Sequence, residues 1–125
     1  MSLTRKIDPE TGSYVVEDGR LAWDDTGFSH LYLAIMPKFG SVPGDLTMGC
    51  KAWNRTKLSH GTPEAMKLEM KEAAQSVIDA GEADSFEVVY CDIDTMNPNR
   101  VNYRWEWTRH GARLHYDGYM AVGTD

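Results

Sequence analysis

Large apolar side chains recur along this chain at two different spacings. Phe28, Leu31, Tyr32 and Ile35 fall at i, i+3, i+4 and i+7, one face of a helix. The spacing predicts a short helix over 27–36, with Asp25 or Thr26 capping its start. Pro37 ends it, because proline offers no N–H and clashes with the preceding turn. A longer helix is predicted over 63–80, with an apolar stripe of Met66, Met70, Ala73, Ala74, Val77 and Ile78. Lys67, Lys71, Gln75 and Asp79 face water on its other side. Thr62 is placed as its cap and Pro63 at its first position. Glu64 lies at the positive end of the dipole, and Gly81 takes the left-handed position past the end.

Elsewhere the period is two. Phe86, Val88 and Tyr90 alternate with Glu87, Val89 and Cys91. Val101, Tyr103, Trp105 and Trp107 alternate with Asn102, Arg104, Glu106 and Thr108, and Leu114, Tyr116, Gly118 and Met120 form a third set, weakened by the glycine. The connections Asn97-Pro98-Asn99 and Arg109-His110-Gly111-Ala112 are turn-forming. Nearer the start, Ser13–Val16 and Arg20–Trp23 flank Glu17-Asp18-Gly19, where Asp-Gly is a strong hairpin signal. The front piece reads as short and polar, so it is expected to pack on something larger. The pattern predicts an α+β fold: an antiparallel meander sheet with two helices packed on one face, plus an N-terminal β-hairpin. The chain reads as a single domain over 1–125, with a hairpin arm over 1–25 and a core over 26–125. Between the helices, Lys38 to Arg55 is broken by Gly40, Pro43, Gly44 and Gly49, yet it carries Phe39, Leu46, Met48 and Trp53. A connection this rich in large apolar groups is expected to lie ordered on a core or a neighbouring subunit.

Thirteen Lys and Arg against nineteen Asp and Glu give a formal charge of −6, with the basic residues scattered singly. A nucleic-acid partner is not expected, since phosphate binding needs clustered cations. The apolar runs fall far short of the roughly 20 residues that span a bilayer, and Met1–Ile7 lacks the apolar core of a signal peptide. No membrane association is expected, and the chain is expected to remain in the compartment where it is made. Cys50 and Cys91 read as buried free thiols in a reducing cytoplasm rather than a bridge.

No catalytic, cofactor-binding or metal-ligating constellation emerges. His30, His60, His110 and His115 form no pair on one helical face and read as surface or capping groups. There is no nucleophile elbow and no phosphate loop. Asp92 and Asp94 could share a cation, but no calcium-loop pattern follows them, and a solvated strand end is the simpler reading. Glu87 and Glu106 could flank a sugar-binding groove as an acid pair, though nineteen acids make such a pairing easy to find by chance. The run Tyr103, Trp105, Trp107 reads first as core under the long helix. Part of it, with Trp53 and Met48, could instead be an apolar patch for another chain. Phe39, Met48, Trp53, Trp105 and Trp107 are therefore the interface candidates, Trp53 foremost.

The order of parts carries a resemblance. The acidic hairpin DPETGSYVVEDGRLAWDD precedes a short helix, then MPKFGSVPGDLTMGCKAW, the helix TPEAMKLEMKEAAQSVIDAGEADSFEVVY and the closing VNYRWEWTRHGARLHYDGYMAVG. Over nearly its whole length the chain resembles the Mu-type phage tail proteins of the contractile-tail baseplate wedge family, the gene-25-product-like proteins. The resemblance rests on order and spacing, with Gly49, Met48 and Trp53 matching the family's apolar-Gly stretch before the second helix. Where such proteins often carry Glu-Pro-Arg after the long helix, this chain has Gly81-Glu82-Ala83-Asp84-Ser85-Phe86. The resemblance implies a small structural subunit of the virion, made in the host cytoplasm. It would hold larger wedge proteins together by protein–protein contacts, and self-association is compatible with that role. Some relatives are labelled tail lysozymes, so a muralytic enzyme using Glu87 and Glu106 is the alternative.

Overall fold

The computed structural model describes residues 4–41, 43–44, 49–54 and 61–121. Four short strands come first: β1 (Thr4–Arg5), β2 (Val16–Glu17), β3 (Arg20–Leu21) and β4 (Trp23–Asp24). Helix α1 (Phe28–Ile35), a 3-10 turn at Lys51–Asn54 and helix α2 (Thr62–Asp79) follow. Strands β5 (Ser85–Ile93), β6 (Arg100–Arg109) and β7 (Ala112–Ala121) close the chain. They pair antiparallel in the order β5-β6-β7, so the fold is the α+β arrangement the periodicity predicts, with its N-terminal hairpin.

The core lies between this sheet and the helices. Along β6, Val101, Tyr103, Trp105, Trp107 and Arg109 are buried in strict alternation. Met66, Met70, Ala74 and Val77 of α2 and Leu31, Ala34 and Ile35 of α1 are buried within the same apolar cluster. The rings interlock: Trp105 meets Phe86 at 5.9 Å, Tyr116 at 5.3 Å and Tyr103 at 5.4 Å between centroids. Such tilted and offset pairs add to what area burial alone supplies. The glycine in β7 has a packing reason. A Cβ at Gly118 would lie 2.7 Å from the Tyr116 ring and 2.8 Å from that of Tyr103, its partner on β6.

Three local readings are corrected. The cap residue of α2 is Gly61, and Thr62 is the first helical residue. At the start of α1 the cap residue is Gly27, and the work is done by Asp24, not by Asp25. Asp24 accepts from the Ser29 N–H at 2.7 Å and from the Thr26 N–H at 2.8 Å, while Thr26 Oγ1 accepts from the Phe28 N–H at 3.2 Å. On β5 the alternation fails after Val88. Val89 is an extra residue between the pairs Val88–Trp105 and Tyr90–Arg104, a β-bulge that turns Tyr90 outward and Cys91 inward.

The C-terminus of α2 closes as its sequence predicts. Gly81, at φ 78°, donates to Ile78 O and Glu82 donates to Val77 O, the two bonds of a Schellman motif. That motif carries Glu82 into the interior, where its carboxylate lies 3.4 Å from both Arg109 Nη1 and His30 Nε2. Arg109 Nη1 also donates to Glu82 O at 2.9 Å. The knot ties the end of α2, the first turn of α1 and the end of β6 together. Both cysteines are buried and unbridged, and burial pushes the Cys91 thiol up to about 12.

Candidate interaction surface

The N-terminal arm is built around a two-residue turn. Asp18 and Gly19 sit at φ 50° and 75°, the left-handed pair of a primed turn, which sets Val16 opposite Leu21 and Glu17 opposite Arg20. Three backbone bonds then knit the arm into a ring: Lys6 N–H to Ala22 O, Ala22 N–H to Val15 O, and Val15 N–H to Lys6 O. The arm docks on its own domain at its base. Ile7 is buried and its N–H donates to Ser29 Oγ at 3.1 Å, while Asp24 grips the first turn of α1. Burial raises the Asp24 pKa, but the bonds from the Thr26 hydroxyl and the Ser29 and Thr26 N–H groups outweigh it and hold the carboxyl below its ordinary range. The Trp107 indole completes the seam by donating to Thr26 O at 2.8 Å.

The sequence reads the arm as polar, but it exposes large apolar side chains. Val16 and Leu21 pair across the ribbon and share one face, while Trp23 pairs with Arg5 on β1 and Tyr14 is bridged to the buried Ile7. Their exposures are 52% for Tyr14, 62% for Val16, 41% for Leu21 and 56% for Trp23, whereas Ala22 between the last two is buried. The Arg5 guanidinium lies 3.7 Å from the centroid of the Trp23 ring and donates to Leu21 O. Below Trp23 an open hollow of about 330 Å³ runs between arm and sheet, lined among others by Ile7, Pro9, Phe28, Leu114 and Tyr116. The signal for this face was present in the alternation Leu21-Ala22-Trp23, large side chains on one side and the small one on the other.

The residues singled out from the sequence are elsewhere. Trp53 is 3% exposed, and its indole N–H donates to Ile35 O at 2.7 Å, so it belongs to the core and presents no surface. Trp105 is buried with its indole N–H on Met70 Sδ at 3.4 Å, and Trp107 is buried at the seam. Phe39 is half-buried: Asn54 clamps its backbone through both amide atoms, and the Lys51 ammonium lies 5.1 Å from its ring centroid. Met48, like Leu46 and His60, lies outside the described residues. The reason for the correction is physical: a large ring serves a core and an interface equally well, and only the packing tells them apart.

The candidate chemistry resolves the same way. Glu87 and Glu106 stand directly opposite on β5 and β6, beside an open hollow of about 270 Å³. The Glu106 carboxylate is engaged by Arg104 at 3.2 Å and Arg113 at 3.5 Å. Asp94 spends its oxygens on the Met96 and Asn97 N–H groups and on the Asn102 amide, and the Asn102 bond leads in holding its pKa low. His30 lies against Glu82, His110 occupies the β6–β7 turn, and His115 is exposed. Among the described residues no three His, Cys, Asp or Glu side chains gather as metal ligands, and no helix is long and apolar enough to cross a membrane. No family model, curated protein or solved structure matches the chain.

Proposed function

We propose that the chain is a structural component of a contractile phage or prophage tail baseplate, acting by contacts with larger wedge proteins. The outward apolar face of the arm carries this reading. Four large apolar side chains held on a rigid, hydrogen-bonded ribbon are an expense that a free-standing subunit does not need, and such faces mark protein contacts. The edges of the three-stranded sheet add to it. β7 is ten residues long and, among the described residues, pairs with β6 on one side only, which leaves a row of main-chain groups for a neighbouring chain. The order of elements that resembles the wedge family supplies the class of assembly, and the protein would then reside in the virion after synthesis in the host cytoplasm. Neither nucleic acid nor a membrane is part of this proposal.

Co-expression with the larger wedge-type protein encoded beside it tests the reading, by affinity purification and native mass measurement. The expected result is a stable complex of fixed stoichiometry. A chain that remains monomeric beside every tail protein of its own gene cluster contradicts it.

The muralytic alternative draws on the register that sets Glu87 opposite Glu106. It requires one carboxyl to give a proton while the other attacks or activates water. Two guanidiniums engage the Glu106 carboxylate, which leaves the proton-donating role to Glu87, an exposed side chain. Purified cell walls treated with the protein are expected to stay turbid. Clearing that Glu87→Gln abolishes without loss of folding would favour the enzyme.

A further inference from the structure

The two edges of the three-stranded sheet are built differently. β5 is interrupted by the bulge at Val89, and a bulge is one of the devices that keep an edge strand from templating another chain. β7 has no such interruption. It pairs with β6 in one unbroken register from Ala112 to Ala121 and contains neither Pro nor Lys. Among the described residues, only β6 hydrogen-bonds its main chain.

The side chains along this edge are self-complementary about His115. On the outward side Arg113 stands two residues before it and Asp117 two residues after it, while Leu114 and Tyr116 flank it on the half-buried inward side. An antiparallel pairing of β7 with β7 of a second copy, centred on His115, therefore sets Arg113 of each copy against Asp117 of the other. It also sets each Leu114 against the Tyr116 of the other copy. The same pairing centred on Arg113 or on Asp117 would set like charges directly opposite each other. Both groups can be reached from outside. The Arg113 side chain is 83% exposed, 3.5 Å from Glu106, and that of Asp117 is 50% exposed, 3.0 Å from Arg104 and 3.3 Å from the Tyr90 hydroxyl. A carboxylate offers about four acceptor sites, so Asp117 can take a further guanidinium. We infer that two copies of this chain associate through β7, antiparallel about a two-fold axis at His115, and join their sheets into one. The main-chain ladder supplies the contact, and the Arg113–Asp117 pairs fix its register. The inference deepens the assembly reading above, since it names a second copy as the neighbour at this edge.

The test is sedimentation velocity of the full chain through the micromolar range, where a reversible dimer is expected. Arg113→Asp places two carboxylates opposite each other at both contacts and is expected to weaken the dimer at least about tenfold. Cross-linking reads the register independently of that variant. In His115→Cys the new thiol faces its own copy, with Cα atoms roughly 5 Å apart and within disulfide reach. Both native cysteines are buried, so a mild oxidant is expected to link this variant into a covalent dimer. In Tyr119→Cys the two thiols would stand about 27 Å apart along the strands and are expected to stay unlinked. A chain that remains monomeric overturns the inference. So does a dimer that Arg113→Asp leaves equally tight, or linking at position 119 without linking at position 115. A monomer that still joins the wedge complex refutes this pairing and leaves the assembly reading standing, whereas a dimer linked at position 115 that binds no tail protein does the reverse.

Discussion

In the three-stranded sheet, large rings point inward along β6 and the outward positions carry charge in pairs: Arg104 lies 3.2 Å from Glu106 and 3.0 Å from Asp117. In the N-terminal ribbon the outward positions are Tyr14, Val16, Leu21 and Trp23, and the small Ala22 is the buried one. The sheet follows from the cost of leaving apolar area in water, roughly 25 cal/mol for each Å². The ribbon violates the same rule while being held by a primed turn and a ring of backbone bonds. The sheet exposes Val89, Tyr90 and Tyr119 among its charged positions, whereas on the ribbon four large apolar side chains stand exposed within ten residues of chain, and under the assembly proposed above a partner would remove them from water.

Substitutions separate the two regions by size of effect. Trp105→Ala, at the centre of the sheet, is expected to cost about 3–5 kcal/mol, because the cavity is walled by rings that cannot all collapse. Arg109→Met comes next at about 3 kcal/mol, since it leaves the buried Glu82 carboxylate without its guanidinium. Both are read from denaturant midpoints. At the seam, Asp24→Asn is expected to cost about 1–2 kcal/mol, because an amide cannot accept on both sides as the carboxylate does. Its pH dependence has a definite sign. The folded-state pKa of Asp24 is lowered, so its contribution is complete above the unfolded value near 4 and is lost as pH falls through the folded one. The gap between wild type and Asp24→Asn should thus be constant at neutral pH and close below about pH 4. Smallest is the ribbon face: Val16→Ser with Leu21→Ser should move stability by no more than about 0.5 kcal/mol, since both side chains are solvated already. A loss as large as that at Trp105 would mean that the face packs on its own domain after all.

The sequence made the elements legible where a local period or a turn dipeptide sufficed. The stripe of α2, the Asp18-Gly19 turn and the inward set of β7 all follow from spacing alone. What it concealed depends on the third dimension. The bulge at Val89 exists only against the register of β6, so the alternation of β5 read Tyr90 as inward. Asp24 reaches past four residues to the Ser29 N–H of α1, across the turn where Gly27 sits at φ 83°, which no cap spacing reveals. That Trp53 is buried and Trp23 exposed has a related reason. Trp53 and Trp23 are the same residue type in equally glycine-marked surroundings, and the bond from Trp53 to Ile35 O draws one inward while the docking of Ile7 on Ser29 leaves the other outside.

Of the four tryptophans, Trp23 alone is exposed, so acrylamide quenching of indole fluorescence reads the arm's outward face directly. The decisive measurement is that quenching in the purified complex with the neighbouring wedge protein, after subtracting the partner's own signal through a Trp23→Phe control. If the arm is the docking surface, the extra quenching due to Trp23 disappears on assembly. If Trp23 stays as accessible in the complex as in the free chain, the central claim is wrong.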